Sequence, residues 1–323
     1  MANCEIGVGE KMKERPVLSV IVPIHNEVES TPILLNKIVS ACKPLGEPYE
    51  VIFIEDGSTD QTLALLEKLH REFSCVRVIV FRKNYGQTLA MAAGFRAARG
   101  QFVVSMDGDL QNDPKDIPKL LQKLKEGYGV VCGWRKDRKD KFISRRLPSI
   151  VANWLIGKIT GVPIHDNGCS LKAYQRRVVK QLPLYADFHR FIPAMSTLGG
   201  AKVAEVVVTH HSREFGESKY GFSRAWRVFL DLFVVSLIVR SSSRPALWFG
   251  KLSLLALFAG LGCLVTFLVN DVSGIVLPSV AFMFLVLTGH LVALGVLGEM
   301  VLSTGDYRPE LMVSGVLSTK KSA

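Results

Sequence analysis

Two aspartates separated by one glycine form the clearest chemical signal in the sequence. Asp107 and Asp109 directly follow residues 102–106, an apolar run that reads as a buried strand, and Gln111 comes two positions later. Carboxylates at positions i and i+2 past a strand offer hard oxygen ligands to Mg²⁺ or Mn²⁺, and such a cation can hold the diphosphate of a nucleotide. Asp and Gly also favour ordinary turns, so the surroundings of the pair must decide between a metal site and a turn.

Two further polar clusters stand at corresponding places in the chain. Short apolar runs that read as strands, the first of them ended by Pro23, alternate with segments that read as helices. They lie at residues 17–22, 31–41, 49–54, 61–73, 76–81, 88–98 and 102–106. This alternation predicts an α/β fold with a mainly parallel sheet covered on both faces. Active sites of such sheets lie past the carboxyl ends of the strands, where residues 23–27, 55–60 and 107–111 all fall, and we expect these clusters to form one site.

The cluster at residues 55–60 has a residue suited to a nucleobase. The Asp56 carboxylate can accept a hydrogen bond from the N3–H of uracil. The same turn can cap the following helix through Ser58 or Asp60, and the two roles are compatible. The sequence has neither a GxGxxG segment after the first strand nor a GxxxxGK[ST] segment, so dehydrogenase and P-loop functions lose their main support.

The C-terminal third of the chain is strongly apolar. Residues 246–269 and 275–302 are each long enough to span a bilayer. The short connection between them carries no Lys or Arg, whereas the outer flanks carry Arg244 and Arg308, among other cations. The positive-inside rule therefore predicts a multi-pass protein of the plasma (inner) membrane, with its catalytic part and both termini in the cytoplasm.

Charge and composition also favour a membrane surface. The 323 residues carry a net charge of +11, and the apolar stretches at residues 150–159 and 225–239 are flanked by cations, which is typical of helices lying in a bilayer interface, although ordinary core helices remain possible. No zinc-finger spacing or RNA-binding motif is present, so we expect no nucleic-acid partner.

Six scattered cysteines without a CxxC pair predict reduced thiols. Glycines along the two spans permit close helix contacts, and we expect a homo-oligomer.

Together these features predict five regions. They are an N-terminal tail at 1–16, an α/β catalytic domain at 17–222 with an interfacial helix near 144–160, an amphipathic interfacial helix at 223–244, two transmembrane helices at 245–304 and a cytoplasmic C-terminal tail at 305–323.

Four motifs together resemble the inverting family-2 glycosyltransferases with a GT-A catalytic domain. They are PIHNE at 23–27, EDGSTD at 55–60, RKNYG at 82–86 and DGDLQ at 107–111. Three later segments are similar to the polyprenyl-phosphate glycosyltransferases, the group that includes dolichyl-phosphate mannose synthase and bacterial undecaprenyl-phosphate glucosyltransferases. These segments are DNGCSLK at 166–172, HRFIP at 189–193 and REFGESKY at 213–220. The resemblance runs from about residue 18 to the C-terminus.

This resemblance implies roles for matching residues. Nucleotide-sugar contacts would come from Pro23, Asn26, Glu27, Asp56, Asn84 and Asp107. The metal ligands would be Asp107, Asp109 and Gln111. Contacts to the acceptor phosphate would come from Arg135, Arg145, Arg146 and Lys219. The catalytic set would be Asp107, Asp109, Asp166, Arg213 and Lys219, with Asp166 binding sugar hydroxyls or acting as a base.

The implied reaction is the inverting transfer of a sugar, expected to be glucose, from a UDP-sugar to polyprenyl (undecaprenyl) phosphate, with Mg²⁺ or Mn²⁺ as cofactor. A phosphate monoester is largely dianionic at neutral pH, so it can attack the anomeric carbon without a general base. Two alternatives stay open. One is the same chemistry with N-acetylglucosamine, aminoarabinose or mannose, and the other is a catalytically silent nucleotide-sugar-binding membrane scaffold.

Overall fold

The computed structural model describes residues 15–136, 147–180, 182, 188–198, 200–212, 245–269, 274–304 and 313–317. The chain divides into two compact units, residues 1–232 with 308–323, and residues 233–307. Four predicted site residues, Arg145, Arg146, Arg213 and Lys219, lie outside the described residues, as does the predicted interfacial helix at 225–239.

The first unit is built on one eight-stranded sheet. Its strands are β1 (Leu18–Ile24), β2 (Tyr49–Glu55), β3 (Val76–Phe81), β4 (Phe102–Ser105), β5 (Val130–Trp134), β6 (Lys172–Gln175), β7 (Val203–Val207) and β8 (Val313–Leu317). Their spatial order is β7-β5-β6-β4-β1-β2-β3-β8. Strands β1, β2, β3 and β4 are mutually parallel, as is the pair β5–β7, whereas β6 is antiparallel to β4 and β5. The predicted α/β class with a mainly parallel sheet is confirmed.

Helices cover both faces of this sheet. They are α1 (Ser30–Cys42), α2 (Thr62–Glu72), α3 (Gln87–Ala97), α4 (Ile117–Lys125), α5 (Leu147–Thr160), α6 (Arg176–Val179) and α7 (Ile192–Leu198), with 3₁₀ turns at Lys43–Leu45, Pro114–Asp116 and Phe188–Arg190. Alternate strand residues point to opposite faces, so Val20 and Val22 belong to one core cluster and Ile21 to the other. Burial on both faces explains why the central strands are continuous apolar runs.

β1 continues past Pro23, where the sequence predicts its end. Pairing of β1 with β4 stops at Ile21, whereas pairing with β2 continues to Ile24. The Ile24 carbonyl accepts from the Asp56 N–H on the β2 side, and the Ile21 carbonyl accepts from the Met106 N–H on the β4 side. Since bonding directions alternate along a parallel strand, the Pro23 nitrogen faces the side where the ladder has ended. The proline therefore removes no ladder hydrogen bond.

Strand β8 comes from the predicted C-terminal tail. It pairs antiparallel with β3, so that Val78 lies opposite Leu317 and Val80 opposite Gly315. This edge of the sheet is therefore formed by residues that follow the apolar C-terminal segments in the sequence.

Among the described cysteines, Cys42, Cys132 and Cys169 are buried free thiols, but Cys75 is disulfide-bonded. The prediction of reduced thiols is wrong at Cys75, because sequence spacing does not reveal which cysteines meet in space.

The second unit contains two long apolar helices, α8 (Pro245–Val269) and α9 (Val276–Thr304). Both are long and apolar enough to cross a membrane, and only 17% and 11% of their most apolar windows are buried. Gly260 and Gly295 let the two helices approach, because a Cβ at either position would lie 3.1–3.2 Å from the other helix. At Gly250, Gly262 and Gly289, nothing lies within 4 Å of such a Cβ. These glycines therefore do not serve the contact between the two helices, and the predicted homo-oligomer stays a prediction.

Candidate active site

The aspartate pair lies in a tight turn past the carboxyl end of β4. Asp107 Oδ1 accepts a hydrogen bond from Gln87 Nε2 at 2.5 Å, and the Asp107 N–H donates to Ser170 Oγ at 3.3 Å. The turn requires a left-handed backbone at Leu110, where φ is +61°, a conformation that is uncommon for residues other than glycine. Burial of the Leu110 side chain in the core holds the turn in place. The Asp109 carboxylate accepts from the Gln111 N–H at 3.2 Å.

The electrostatics of the pair fit a bound cation. Burial and the neighbouring Asp109 carboxylate raise the pKa of Asp107 to about 6, because both effects oppose a second negative charge there. A divalent cation would relieve this repulsion. Among the described residues, no group of three His, Cys, Asp or Glu side chains converges. Two carboxylates and the Gln111 amide suit Mg²⁺ or Mn²⁺ all the same, because Mg²⁺ commonly takes one or two protein carboxylates and completes its shell with water and substrate phosphate oxygens.

The loops after β1 and β2 are hydrogen-bonded to each other. Asn26 has a φ of +55°, its N–H donates to Ser58 Oγ at 3.0 Å, and its Oδ1 accepts from the Thr59 N–H at 2.8 Å. The Glu27 N–H donates to Thr62 Oγ1 at 3.0 Å. The predicted nucleotide-binding residues Asn26 and Glu27 therefore belong to a fixed pair of loops at the same sheet edge as Asp107.

Asp56 connects the loop after β2 to the loop after β3. Its two carboxylate oxygens accept from the Tyr85 N–H at 2.7 Å and the Gly86 N–H at 2.9 Å. Burial raises the pKa of Asp56, although these two hydrogen bonds oppose the shift. Gly57 has a φ of +64°, and a Cβ there would lie 2.3 Å from the Asn84 nitrogen. The predicted contact residues Asp56 and Asn84 are thus brought together by a close backbone approach that only glycine permits.

Arg135 and Asp166 form a bidentate ion pair. Arg135 Nε donates to Asp166 Oδ2 at 2.7 Å, and Nη2 donates to Oδ1 at 2.9 Å. The side chains are 12% and 3% exposed. Burial works against the charge of Arg135, but the Asp166 carboxylate holds the pKa of Arg135 above its usual range. The structure therefore unites a residue predicted to contact the acceptor with one predicted to bind sugar or act as a base.

Comparison with known proteins identifies the family. Residues 19–183 match the model of glycosyl transferase family 2. The chain is 40% identical over 324 residues to the dodecaprenyl-phosphate galacturonate synthase of Rhizobium johnstonii, with 95% of this chain and 94% of the relative covered. The chain belongs to glycosyl transferase family 2. This glycosyltransferase is also 34% identical to the undecaprenyl-phosphate 4-deoxy-4-formamido-L-arabinose transferase of Pseudomonas fluorescens, over 97% of its own length and 94% of the relative.

Solved structures with the same fold include glucosyl-3-phosphoglycerate synthase from Mycobacterium tuberculosis. Its complex with Mn²⁺, UDP and phosphoglyceric acid matches 70% of this glycosyltransferase and 78% of the other chain, with a TM-score of 0.53 and 21% identity. At this identity the likeness establishes the fold alone. It agrees with the predicted GT-A architecture of the first unit.

Three polar residues of the glycosyltransferase site were not predicted from the sequence. Gln87 and Ser170 contact Asp107, and His189 Nδ1 lies 2.7 Å from Thr88 Oγ1 at the start of α3. Ser170 and His189 belong to the resemblance motifs at 166–172 and 189–193, so the motifs were a signal that could have found them. Gln87 follows the 82–86 motif directly, but nothing in its local pattern indicates the contact with Asp107.

Proposed function

We propose that this glycosyltransferase transfers a sugar from a UDP-sugar to polyprenyl phosphate, with inversion at the anomeric carbon. The observation that carries the proposal is the arrangement at one sheet edge. Asp107 and Asp109 follow β4, and the loops after β1, β2 and β3 are held beside one another by Asn26 and Asp56. The names of the two relatives, both transferases to a polyprenyl phosphate, support the acceptor class.

The donor is proposed to lie along these loops. Pro23, Asn26, Glu27, Asp56 and Asn84 are the proposed contacts to the nucleotide half. Each carboxylate oxygen of Asp56 already accepts one backbone N–H, and a carboxylate has about four acceptor positions, so an uracil N3–H can be added without breaking either bond. Asp107, Asp109 and Gln111 are the proposed ligands of Mg²⁺ or Mn²⁺, which, when bound, supplies positive charge to the departing diphosphate.

The acceptor needs positive charge more than it needs a base. A phosphate monoester has a second pKa of about 6, so at neutral pH it attacks as a dianion and releases no proton. Attack on the anomeric carbon from the side opposite the leaving group inverts that centre. Arg135 is proposed to contact the acceptor phosphate, because Asp166 takes only two of the five N–H donors of its guanidinium. The same role for Arg145, Arg146, Arg213 and Lys219 rests on the sequence motifs.

Asp166 is proposed to bind sugar hydroxyls and to orient Arg135. Its carboxylate is buried and paired with a guanidinium, and carboxylate oxygens can accept hydrogen bonds from hydroxyl groups. A role as general base is not required for a dianionic nucleophile.

Membrane attachment is proposed through α8 and α9. Both helices have the length and composition of membrane spans, and polyprenyl phosphate is a membrane lipid. Strand β8 supports a cytoplasmic C-terminus, because residues before α8 and after α9 belong to the same sheet. This favours a topology in which the chain enters and leaves the bilayer on one side. We place that side in the cytoplasm from the positive-inside rule.

The decisive experiment tests transfer directly. The purified enzyme with Mn²⁺ and undecaprenyl phosphate is incubated with radiolabelled UDP-glucose, UDP-galacturonate, UDP-N-acetylglucosamine or the UDP-linked formamido-arabinose, and label is counted in the organic extract. Glucose was the sugar expected from the sequence, whereas the names of the two relatives favour testing galacturonate and formamido-arabinose first.

Asp109→Asn is the matched inactive variant. We expect it to reduce transfer at least about 100-fold, the usual cost of removing one electrostatic contact to the transition state, without lowering the melting temperature. Label in the lipid phase from the wild type alone supports the proposal. UDP-sugar binding without any labelled lipid would favour the silent scaffold, and equal activity of the variant would refute the assigned role of the aspartate pair.

A further inference from the structure

A large cavity lies at the end of the sheet opposite the aspartate pair. Its volume is about 1190 Å³, and its lining includes Val17 before β1, Phe102 at the start of β4 and Gln175 at the end of β6. β4 runs from Phe102 at this cavity to Ser105 near Asp107, a length of about 10 Å. The cavity is therefore separate from the candidate active site.

The lining of this cavity is strongly basic. Among the residues that the structure describes, one acidic residue, Glu47, lines it, against six cationic ones. The cationic residues are Arg15, Arg99, Lys125, Arg176, Arg177 and Lys180. Five of these six side chains are exposed and Arg176 is half-buried, so their positive charge faces solvent around an open concave space.

Neutral acceptors hold several of these cations in place. Arg176 Nη1 donates to the Arg99 carbonyl oxygen at 3.1 Å, Arg177 Nε donates to Gln175 Oε1 at 2.7 Å, and the Lys180 ammonium donates to the carbonyl oxygen of Arg96. Such contacts position a cation without neutralising it. By contrast, Arg77 and Arg135 are each paired with a buried carboxylate elsewhere in the domain.

The described part of the chain supplies little counter-charge to this cluster: Glu47 lies in the lining, and the charge of Glu50 acts on Lys180. None of the six cations forms an ion pair with a described residue. Burial, together with the charges of Arg176 and Arg96, lowers the pKa of Lys180. Crowded like charges around a cavity are the condition under which binding of an anion is most favourable.

We propose that this cavity binds a soluble anion carrying two or more phosphate groups, of the class of oligophosphates and nucleoside polyphosphates. Arginine presents a planar set of donors that matches phosphate oxygens, and three of the six cations are adjacent on or next to α6. The volume of about 1190 Å³ slightly exceeds the usual range of small-molecule sites, about 300–1,000 Å³, so a nucleotide-sized ligand fits. A phospholipid headgroup has the same chemistry.

The choice of a soluble source rests on the proposed function. If the carboxyl ends of the strands, which carry the aspartate pair, meet a lipid phosphate, the cavity at the other end of the strands is turned away from the lipid. The existence of an anion site does not depend on that choice, and the experiment below uses neither donor nor acceptor. Its failure is therefore distinguishable from failure of the proposed glycosyl transfer.

The test measures binding of tripolyphosphate to the full-length enzyme in detergent by titration calorimetry, with EDTA present to suppress metal-dependent diphosphate binding. The variant Arg177→Gln/Lys180→Gln removes two cavity charges. Its matched control, Lys68→Gln/Arg71→Gln, removes two charges from exposed positions of α2, which does not line the cavity. Thermal melting verifies that both variants fold. Short-chain phosphatidylglycerol is titrated in parallel.

We expect tripolyphosphate to bind the wild type and the α2 variant alike, and to bind the cavity variant at least about tenfold more weakly, which corresponds to about 1.4 kcal/mol. Phosphatidylglycerol binding should be the same in all three proteins. Equal tripolyphosphate affinity in the two variants, or no binding to the wild type, overturns the site. If the cavity variant loses phosphatidylglycerol binding together with tripolyphosphate binding, the soluble source is overturned.

Discussion

The Arg135–Asp166 pair offers the sharpest test of how the site is held together. Both side chains are almost fully buried, and two charge-assisted hydrogen bonds of 2.7 and 2.9 Å join them. Asp166→Ala would leave a buried guanidinium without its carboxylate. Breaking a buried pair on one side costs about 3–5 kcal/mol. For a domain of this size, 1 kcal/mol shifts the melting temperature by about 2–4 °C, so the midpoint is expected to fall by roughly 6–20 °C.

A double variant separates the charge from its consequences. Arg135→Gln/Asp166→Asn removes both charges and retains groups that can hydrogen-bond, so it should recover at least about 2 kcal/mol of the summed single losses. Thermal unfolding of the purified enzyme, followed by tryptophan fluorescence, measures Asp166→Ala, the double variant and its two matching single variants, Arg135→Gln and Asp166→Asn. A double variant that regains stability but does not transfer sugar would assign the Arg135–Asp166 pair a direct role at the substrate. An Asp166→Ala midpoint within about 2 °C of the wild type, or strictly additive losses, would refute the reasoning.

Three further predictions follow from the described contacts. Burial and a neighbouring aspartate raise the pKa of Asp107 to about 6, so protons compete with the metal ion for Asp107 below that pH. The Mn²⁺ concentration that gives half-maximal transfer should therefore rise roughly tenfold for each pH unit below about 6. A half-maximal concentration that stays constant from about pH 5 to 7 contradicts this prediction. Gly57→Ala should raise KM for the UDP-sugar, because the new Cβ would lie 2.3 Å from main-chain atoms of the neighbouring loop. Gly46→Ala is the control: its φ of +68° is similar but nothing lies within 4 Å of the Cβ, so it should lower stability alone. Equal KM values for the two variants count against the close approach at Gly57. In the wild type, the Arg77 guanidinium lies 2.6 Å from the Glu50 carboxylate. Glu50→Gln removes this counter-charge and should lower the free energy of unfolding by about 3 kcal/mol or more, measured by thermal melting, while KM for the UDP-sugar is unchanged. A changed KM contradicts the structural role of the pair.

Local sequence patterns predicted the strands closely where both faces are buried. The predicted strand at 76–81 coincides with β3, and the helix predicted at 61–73 differs from α2 by one residue at each end. Pro23 misled the prediction of β1, because a proline ends a strand only where its nitrogen would face a neighbour. Whether it does depends on how far β4 extends, and that is a property of the sheet rather than of the segment.

Contacts between distant segments could not be predicted from local patterns. The ion pair of Arg135 with Asp166, and the hydrogen bonds of Gln87 and Ser170 to Asp107, join residues from different elements. Their spacing along the chain has no period that would indicate proximity. The aspartate turn itself was predictable, because strand ends of a parallel sheet gather at one edge, but its partners follow only from the packing of α3 and the segment before β6.

Strand β8 imposes an order on biogenesis. Residues 313–317 leave the ribosome after both apolar helices, yet they cover the outer edge of β3. An uncovered strand edge is a template for pairing with other chains. Since chains fold from the N-terminus during synthesis, the nascent sheet stays open at β3 until the hairpin of α8 and α9 has been translated. A chain truncated within this hairpin would therefore contain the aspartate turn but lack β8, and its β3 edge would be exposed to pairing with other chains.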